Sequence, residues 1–148
     1  MDVLGFVTLV VTGFTACAEF GSYAFVHPVI RRLPSQQHLR VEKGLLRTFG
    51  LFMPFAMTLC VLLSIAYASV GSRTGPDLVR WLGAAFFAGA LVSTLIFNVP
   101  VNLATGRWDP DHPPEGWKRT RTRWEFFQGV RSWLLLAGFV TVSAAITR

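Results

Sequence analysis

Residues 3–26, VLGFVTLVVTGFTACAEFGSYAFV, form an apolar run interrupted by one charge, Glu19. A helix needs roughly 18–20 such residues to cross a hydrocarbon core of about 30 Å, and this run is long enough. Three more follow at 48–70, 81–99 and 127–147. With 52% hydrophobic residues in a chain of 148, a soluble fold could not bury four such segments. The expected architecture is an all-α membrane protein, a single four-helix transmembrane domain over residues 1–148.

Basic residues resist translocation, so their placement predicts orientation. Arg31, Arg32, Arg40, Lys43 and Arg47 flank the first connection, and Arg107, Lys118, Arg119, Arg121, Arg123 and Arg131 flank the third. Only Arg73, Arg80 and Arg148 fall on the other side. Both termini are therefore expected outside and the two basic connections in the cytoplasm, as in a multi-pass protein of the inner (plasma) membrane. The net charge of +6 then marks topology and affinity for anionic lipid head groups. Nucleic-acid binding is not expected, because the bases flank apolar segments and form no folded basic face.

Ala16-Cys17-Ala18 resembles a signal-peptidase site, but no basic residue precedes it and the apolar run continues past it, so no cleavage is expected. Cys17 and Cys60 both lie in apolar runs without a CxxC, which predicts buried, inert thiols. The first helix is expected to end at His27-Pro28. A loop follows over Arg31–Gly44, with Pro34-Ser35 as turn and helix start. Pro54 predicts a kink in the second helix, and Gly71–Asp77 a short outer loop. Ala84-x-x-x-Ala88 and Ala85-x-x-x-Gly89 give the third helix small-residue spacings suited to close packing. Leu103–Trp124 reads as a polar loop whose Trp108 and Trp117 suit the head-group level.

Polar groups within membrane spans are costly, so their positions are informative. Thr8, Thr12, Thr15, Glu19 and Ser22 recur at steps of three and four and share one helix face. Tyr23 and His27 follow on adjoining faces. Arg121, Trp124, Gln128 and Arg131 make a second stripe in the fourth helix, and Asn98 and Asn102 bracket Pro100. The expected topology brings Glu19, Tyr23, His27, Asn98, Asn102, Gln128, Arg131 and Arg47 to one leaflet, as a polar pocket near the inner head groups. Simpler roles exist for each: Arg47 and Arg131 snorkelling, His27 at the interface, the asparagines tying down the Pro100 bend. A metal or haem site is not expected, since His38 and His112 fall in loops and no HxxxH spacing occurs.

Phe97-Asn98-Val99-Pro100-Val101-Asn102, then Trp108-Asp109-Pro110, Arg123-Trp124 and Val130-Arg131-Ser132 resemble the signature of the anthrone-oxygenase-like membrane proteins. In that family the third helix ends in N-V-P-x-N, a W-D-P-like loop follows, and R-W and V-R-T open the fourth helix. Here Gln128 replaces the usual Asn or His before x-V-R, and Ser132 the usual Thr. The resemblance implies a membrane enzyme that oxidises an anthrone or other aromatic polyketide with O2 and without a cofactor. For that chemistry the polar pocket offers His27 or Glu19 as base, Asn98, Asn102 and Arg131 as donors to oxyanion and oxygen species, and Tyr23, Trp108, Trp124 and Gln128 as substrate contacts. Partners would be a hydrophobic small molecule, O2 and membrane lipid, with a homo-oligomer left open. Two other readings share the pocket: an acid/base isomerase or cyclase, and a non-catalytic lipid-binding partner protein.

Overall fold

The computed structural model describes residues 2–70 and 77–147. It is all-helical, with four helices long and apolar enough to cross a bilayer: α1 (Val3–Ile30), α2 (Ser35–Val70), α3 (Leu78–Arg107) and α4 (Trp117–Ile146). The chain is a multi-pass membrane protein. Asp2 and Asp77 cap α1 and α3, accepting from the N–H groups of Gly5 at 2.6 Å and Val79 at 3.0 Å, which satisfies donors a helix start leaves open. Of the outer loop expected at Gly71–Asp77, all but Asp77 lies outside the described residues.

The helices outrun the apolar segments. At 1.5 Å per residue the 36 residues of α2 span about 54 Å, well beyond the hydrocarbon core. Most of the expected loop Arg31–Gly44 is therefore helix. Ser35 follows Pro34 and begins α2, and His38, Leu39 and Glu42 turn one buried face to the bundle. The expected loop Leu103–Trp124 likewise shrinks to residues 108–116, because α3 continues to Arg107 and α4 starts at Trp117.

Neither helix stops at its proline. Ser22–Val26 and Thr94–Asn98 are π-helical turns, closed by the N–H of His27 on the Ser22 carbonyl and of Val99 on the Thr94 carbonyl. Pro28 and Pro100 lack an N–H and crowd the carbonyl four residues back. In both helices that carbonyl belongs to the π turn, whose wider ladder absorbs the defect. This corrects the expected end of α1 at His27-Pro28. It also widens both helices at the level where their polar residues lie. In α2 the helix runs unbroken through Pro54, which leaves the Gly50 carbonyl without its helical donor.

The bundle is inverted relative to a soluble protein. Phe6, Phe14, Phe25, Leu51, Phe55, Leu62, Leu95, Phe126 and Trp133 are exposed on its flanks, as lipid contact requires. Inside are Ala16, Met57, Cys60, Phe87, Ala90, Leu135 and Val142. The threonine stripe of α1 also faces inward, with Thr8, Thr12 and Thr15 fully buried and each hydroxyl donating to the carbonyl four residues earlier at 2.7–2.8 Å. Those polar groups are satisfied within their own helix. Cys60 is buried, whereas Cys17 is exposed on the outer face, contrary to expectation.

Close helix contact runs through glycines other than those expected. A methyl at Gly83 would meet Val142 Cγ2 at 2.8 Å, one at Gly138 the Phe87 ring at 3.0 Å, and one at Gly129 the Tyr23 ring at 2.9 Å. These contacts join α4 to α3 and α1. Of the two expected small-residue spacings, Ala84 is buried and Ala88 half-buried, whereas Ala85 and Gly89 are exposed.

Candidate active site

Two buried charge networks lie in the half of the bundle nearest the α1–α2 and α3–α4 connections. The first is centred on Glu19, which is fully buried. Gln128 and Arg131 stand one turn apart on α4 and both reach it. Gln128 Nε2 donates to Glu19 Oε2 at 2.8 Å, and Arg131 donates to the same oxygen at 2.9 Å. Arg131 also donates to the Gln128 amide oxygen and, at 3.5 Å, to the Thr94 hydroxyl in the π turn of α3. Ser132 adds a hydroxyl bonded to the Gln128 carbonyl at 2.8 Å and to the Glu19 carbonyl at 3.3 Å. A carboxyl in an apolar span requires a partner, and α4 supplies both a cation and an amide.

The second network is centred on Glu42 of α2, 2% exposed in its side chain. Its Oε2 meets Arg121 of α4 at 2.5 Å, while Oε1 lies 3.6 Å from His27 Nδ1 and 3.6 Å from His38 Nε2. The two histidine contacts are longer than hydrogen bonds, so the carboxylate acts on both rings through its charge. Aromatic rings fix this group. Arg121 lies 4.0 Å above the Trp124 ring, His27 packs against the same indole at 5.0 Å between centroids, and His38 meets Trp117 edge-on at 5.2 Å. At its edge Arg31 pairs with Glu125 at 2.7 Å. Among the described residues, no group of three or more His, Cys, Asp or Glu is spaced to hold a metal ion.

A cavity of about 680 Å³ connects the networks. It runs between α2 and α3, with α4 as its floor. Its walls are apolar (Leu45, Leu46, Phe49, Met53, Pro54, Val99), and His27, Glu42, Asn102, Trp124, Gln128 and Arg131 bring polar groups onto it. The volume falls in the range of small-molecule sites, and so does the mixture of apolar wall with few polar groups. Gly50 lines it as well, one turn before Pro54, which has no N–H to offer its carbonyl.

Of the residues singled out from the sequence, His27, Asn102, Arg131, Trp124 and Gln128 line this cavity. Glu19 lies behind it and reaches it only through Gln128 and Arg131. Asn98 is fully buried, and its Nδ2 donates to the Trp124 carbonyl at 3.2 Å, which ties α3 to α4. Tyr23 lines a separate groove on the α1–α4 flank with Phe126, Gly129 and Trp133. Trp108 sits just past the end of α3, where its carbonyl accepts from Lys43 Nζ at 2.8 Å. Glu42, His38 and Thr94 were not foreseen. The first two belong to a segment read as loop, where an i, i+4 pair of His38 and Glu42 carries no meaning.

No curated protein and no solved structure matches the chain. A family model does: that of anthrone oxygenase, over residues 45–141. The match takes in α3 with its π turn and Pro100, the whole apolar part of α2, and α4 through Thr141, and so the residues Asn102, Trp124, Gln128 and Arg131 on the cavity. It covers about two thirds of the sequence, and the chain belongs to the anthrone oxygenase family.

Proposed function

We propose that the protein is a membrane oxygenase that converts an anthrone-like aromatic substrate to the corresponding quinone with O2, without a cofactor. The observation that carries this reading is the apolar cavity with a carboxylate-backed histidine on one wall and an amide–guanidinium pair on its floor. An anthrone has a CH2 group made acidic by two flanking rings and a conjugated carbonyl. Removing one proton puts the negative charge on the carbonyl oxygen and leaves a carbanion able to pass an electron to O2. Recombination at the same carbon gives a hydroperoxide, which loses water to form the second ketone. One oxygen atom enters the product and the other leaves as water, so no external reductant is consumed.

This chemistry asks the protein for a base, for donors to the developing oxyanion, and for exclusion of water. His27 suits the base. It lines the cavity, and Glu42 stabilises the imidazolium that forms when it takes a proton. Glu19 suits that role less well, because its charge is bound by Arg131 and Gln128 away from the cavity. Its part is to hold Arg131 in place. Arg131, whose Nε–H has no protein acceptor, and Asn102 then face the oxyanion or the reduced oxygen species, with Trp124 as an aromatic wall. The basic connections favour a cytoplasmic opening and a plasma-membrane location.

The test is O2 consumption by the purified protein with anthrone at neutral pH, with product followed by its quinone absorbance. Stoichiometric uptake, lost under argon and retained with a chelator, is the expected result. Turnover that proceeds equally under argon would point to isomerase or cyclase chemistry. No turnover of any anthrone would move the lipid-binding partner to first place.

A further inference from the structure

The cavity is graded along its length. Arg47 on α2 and Arg107 on α3 both line it and are both exposed. One turn further into the bundle on each helix stand Leu51 and Leu103, which also line it and are 73% and 62% exposed. The cavity therefore opens on the flank of the bundle between α2 and α3, through a mouth with two arginines above and two leucines below. Lys43 adds a third cation at the arginine level. Among the described residues Glu42 is the only acid on the lining, and it is bound to Arg121 on the far side. Neither Arg47 nor Arg107 is paired with a carboxylate among the described residues. From Arg107 inward to Thr94 the wall of α3 runs about 20 Å at 1.5 Å per residue.

We propose that this cavity takes an anionic apolar molecule, a ring compound bearing a carboxylate or an ionised phenol. It enters sideways from the bilayer, with its anion held by Arg47 and Arg107 and its ring body directed toward Trp124 and Arg131. Charge complementarity carries the assignment. A neutral hydrophobe would need only the leucine level, whereas a molecule with one charged end fills both levels of the mouth. Guanidinium groups are suited to carboxylates because they donate two parallel hydrogen bonds. The proposal names the substrate class of the site under the oxygenase reading, but binding can be measured without turnover, so the two can fail separately.

The experiment uses the full chain in phosphatidylcholine nanodiscs and two fluorescent probes of one ring system. These are 1-anilinonaphthalene-8-sulfonate and its uncharged counterpart N-phenyl-1-naphthylamine, read against empty discs. The sulfonate should bind saturably and roughly tenfold more tightly than the neutral probe, a preference that salt reduces. Arg47→Gln with Arg107→Gln should remove that preference and leave the neutral probe unaffected. Arg47→Lys with Arg107→Lys should keep most of it. Arg32→Gln with Arg119→Gln, which removes the same charge from exposed sites off the cavity, should change nothing. Equal affinity for the two probes overturns the proposal, as does an equal loss in the Arg32/Arg119 variant, which would mean only a basic surface. Displacement of the sulfonate by phosphatidylglycerol in the discs would identify a lipid as the occupant and also overturn it. If the glutamine variant loses the neutral probe as well, the lysine variant decides: loss of the sulfonate preference there counts against the proposal. Probe binding without O2 uptake would leave this inference standing while the oxygenase reading fell.

Discussion

The Glu19 and Glu42 networks each place a buried carboxylate of another helix against an arginine of α4, yet they are built differently. Around Glu19 the contacts are hydrogen bonds of ordinary length from an amide and a guanidinium, and the group lies one layer behind the cavity. Around Glu42 one carboxylate oxygen is committed to Arg121, while the other faces two imidazoles at 3.6 Å, and the carboxylate and His27 are on the cavity wall. The Glu19 network is closed only in that its Oε2 is held by two hydrogen bonds and it stands off the cavity, its Oε1 having no partner; such a network fixes geometry. An open one leaves a group able to gain or lose a proton. Under the proposed oxygenase reading, the bundle thus separates the part that holds the site from the part that reacts in it.

Breaking the closed network should give the largest effect. Arg131→Met leaves Glu19 as an uncompensated buried anion, which costs about 3–5 kcal/mol and should appear as a marked drop in thermal midpoint in detergent. Turnover should fall as well, by on the order of 10²–10³, as for loss of one oxyanion donor. Adding Glu19→Gln to Arg131→Met removes the stranded charge and should restore much of the stability but none of the activity. If both properties recover together, Arg131 has no role beyond pairing.

The open network should respond in the opposite way. His27→Gln keeps a polar side chain against Trp124 and removes the base, so turnover should fall by about 10²–10⁴ with the thermal midpoint nearly unchanged. A stable variant with wild-type kcat would remove His27 from the mechanism and with it the distinction between the two networks.

A steric change can strain one network and spare the other. Gly129 lies beside Gln128, and a methyl there would sit 2.9 Å from the Tyr23 ring. Gly129→Ala should push α1 from α4 at the level of Glu19 at a cost of about 1–3 kcal/mol. The Glu42–Arg121 pair joins α2 to α4 and should be unaffected. The check is whether activity falls in kcat, as displacement of Arg131 requires, with binding of the neutral naphthylamine probe retained.

The sequence made the first network legible and hid the second for one reason. Glu19 stands in an apolar run, where a lone carboxyl is costly, so a partner on another helix could be inferred and Arg131 was among the few candidates. Glu42 stands among Arg40, Lys43 and Arg47, where a carboxylate in water costs nothing. It becomes informative only when Ser35 starts a helix that turns His38, Leu39 and Glu42 to one buried face. The four spans were legible from length alone, but their ends were not, because charged helical turns beyond a bilayer read as loop. Pro28 reads as a helix end and Pro100 as a bend, since nothing in their spacing announces the π turns that accommodate them.

The smallest expected loss of activity concerns the residue that touches both the closed network and the cavity. Gln128 donates to Glu19 at 2.8 Å, accepts from Arg131 and lines the cavity floor. Gln128→Asn keeps the amide but draws it back by one methylene toward α4. The bond to Glu19 lengthens or breaks, while Arg131 still neutralises the carboxylate at 2.9 Å. The cost should therefore be that of one hydrogen bond to a charged group, about 1.5–3 kcal/mol at most, below that of Arg131→Met because no charge is stranded. Activity should fall only in proportion to the loosening of Arg131, several-fold rather than a hundredfold. The measurement is a double-mutant cycle on thermal stability with Glu19→Gln. Coupling between the two positions is expected if the bond is made. Strict additivity would show that Gln128 serves the cavity alone, and the closed network would then consist of Glu19, Arg131 and Thr94.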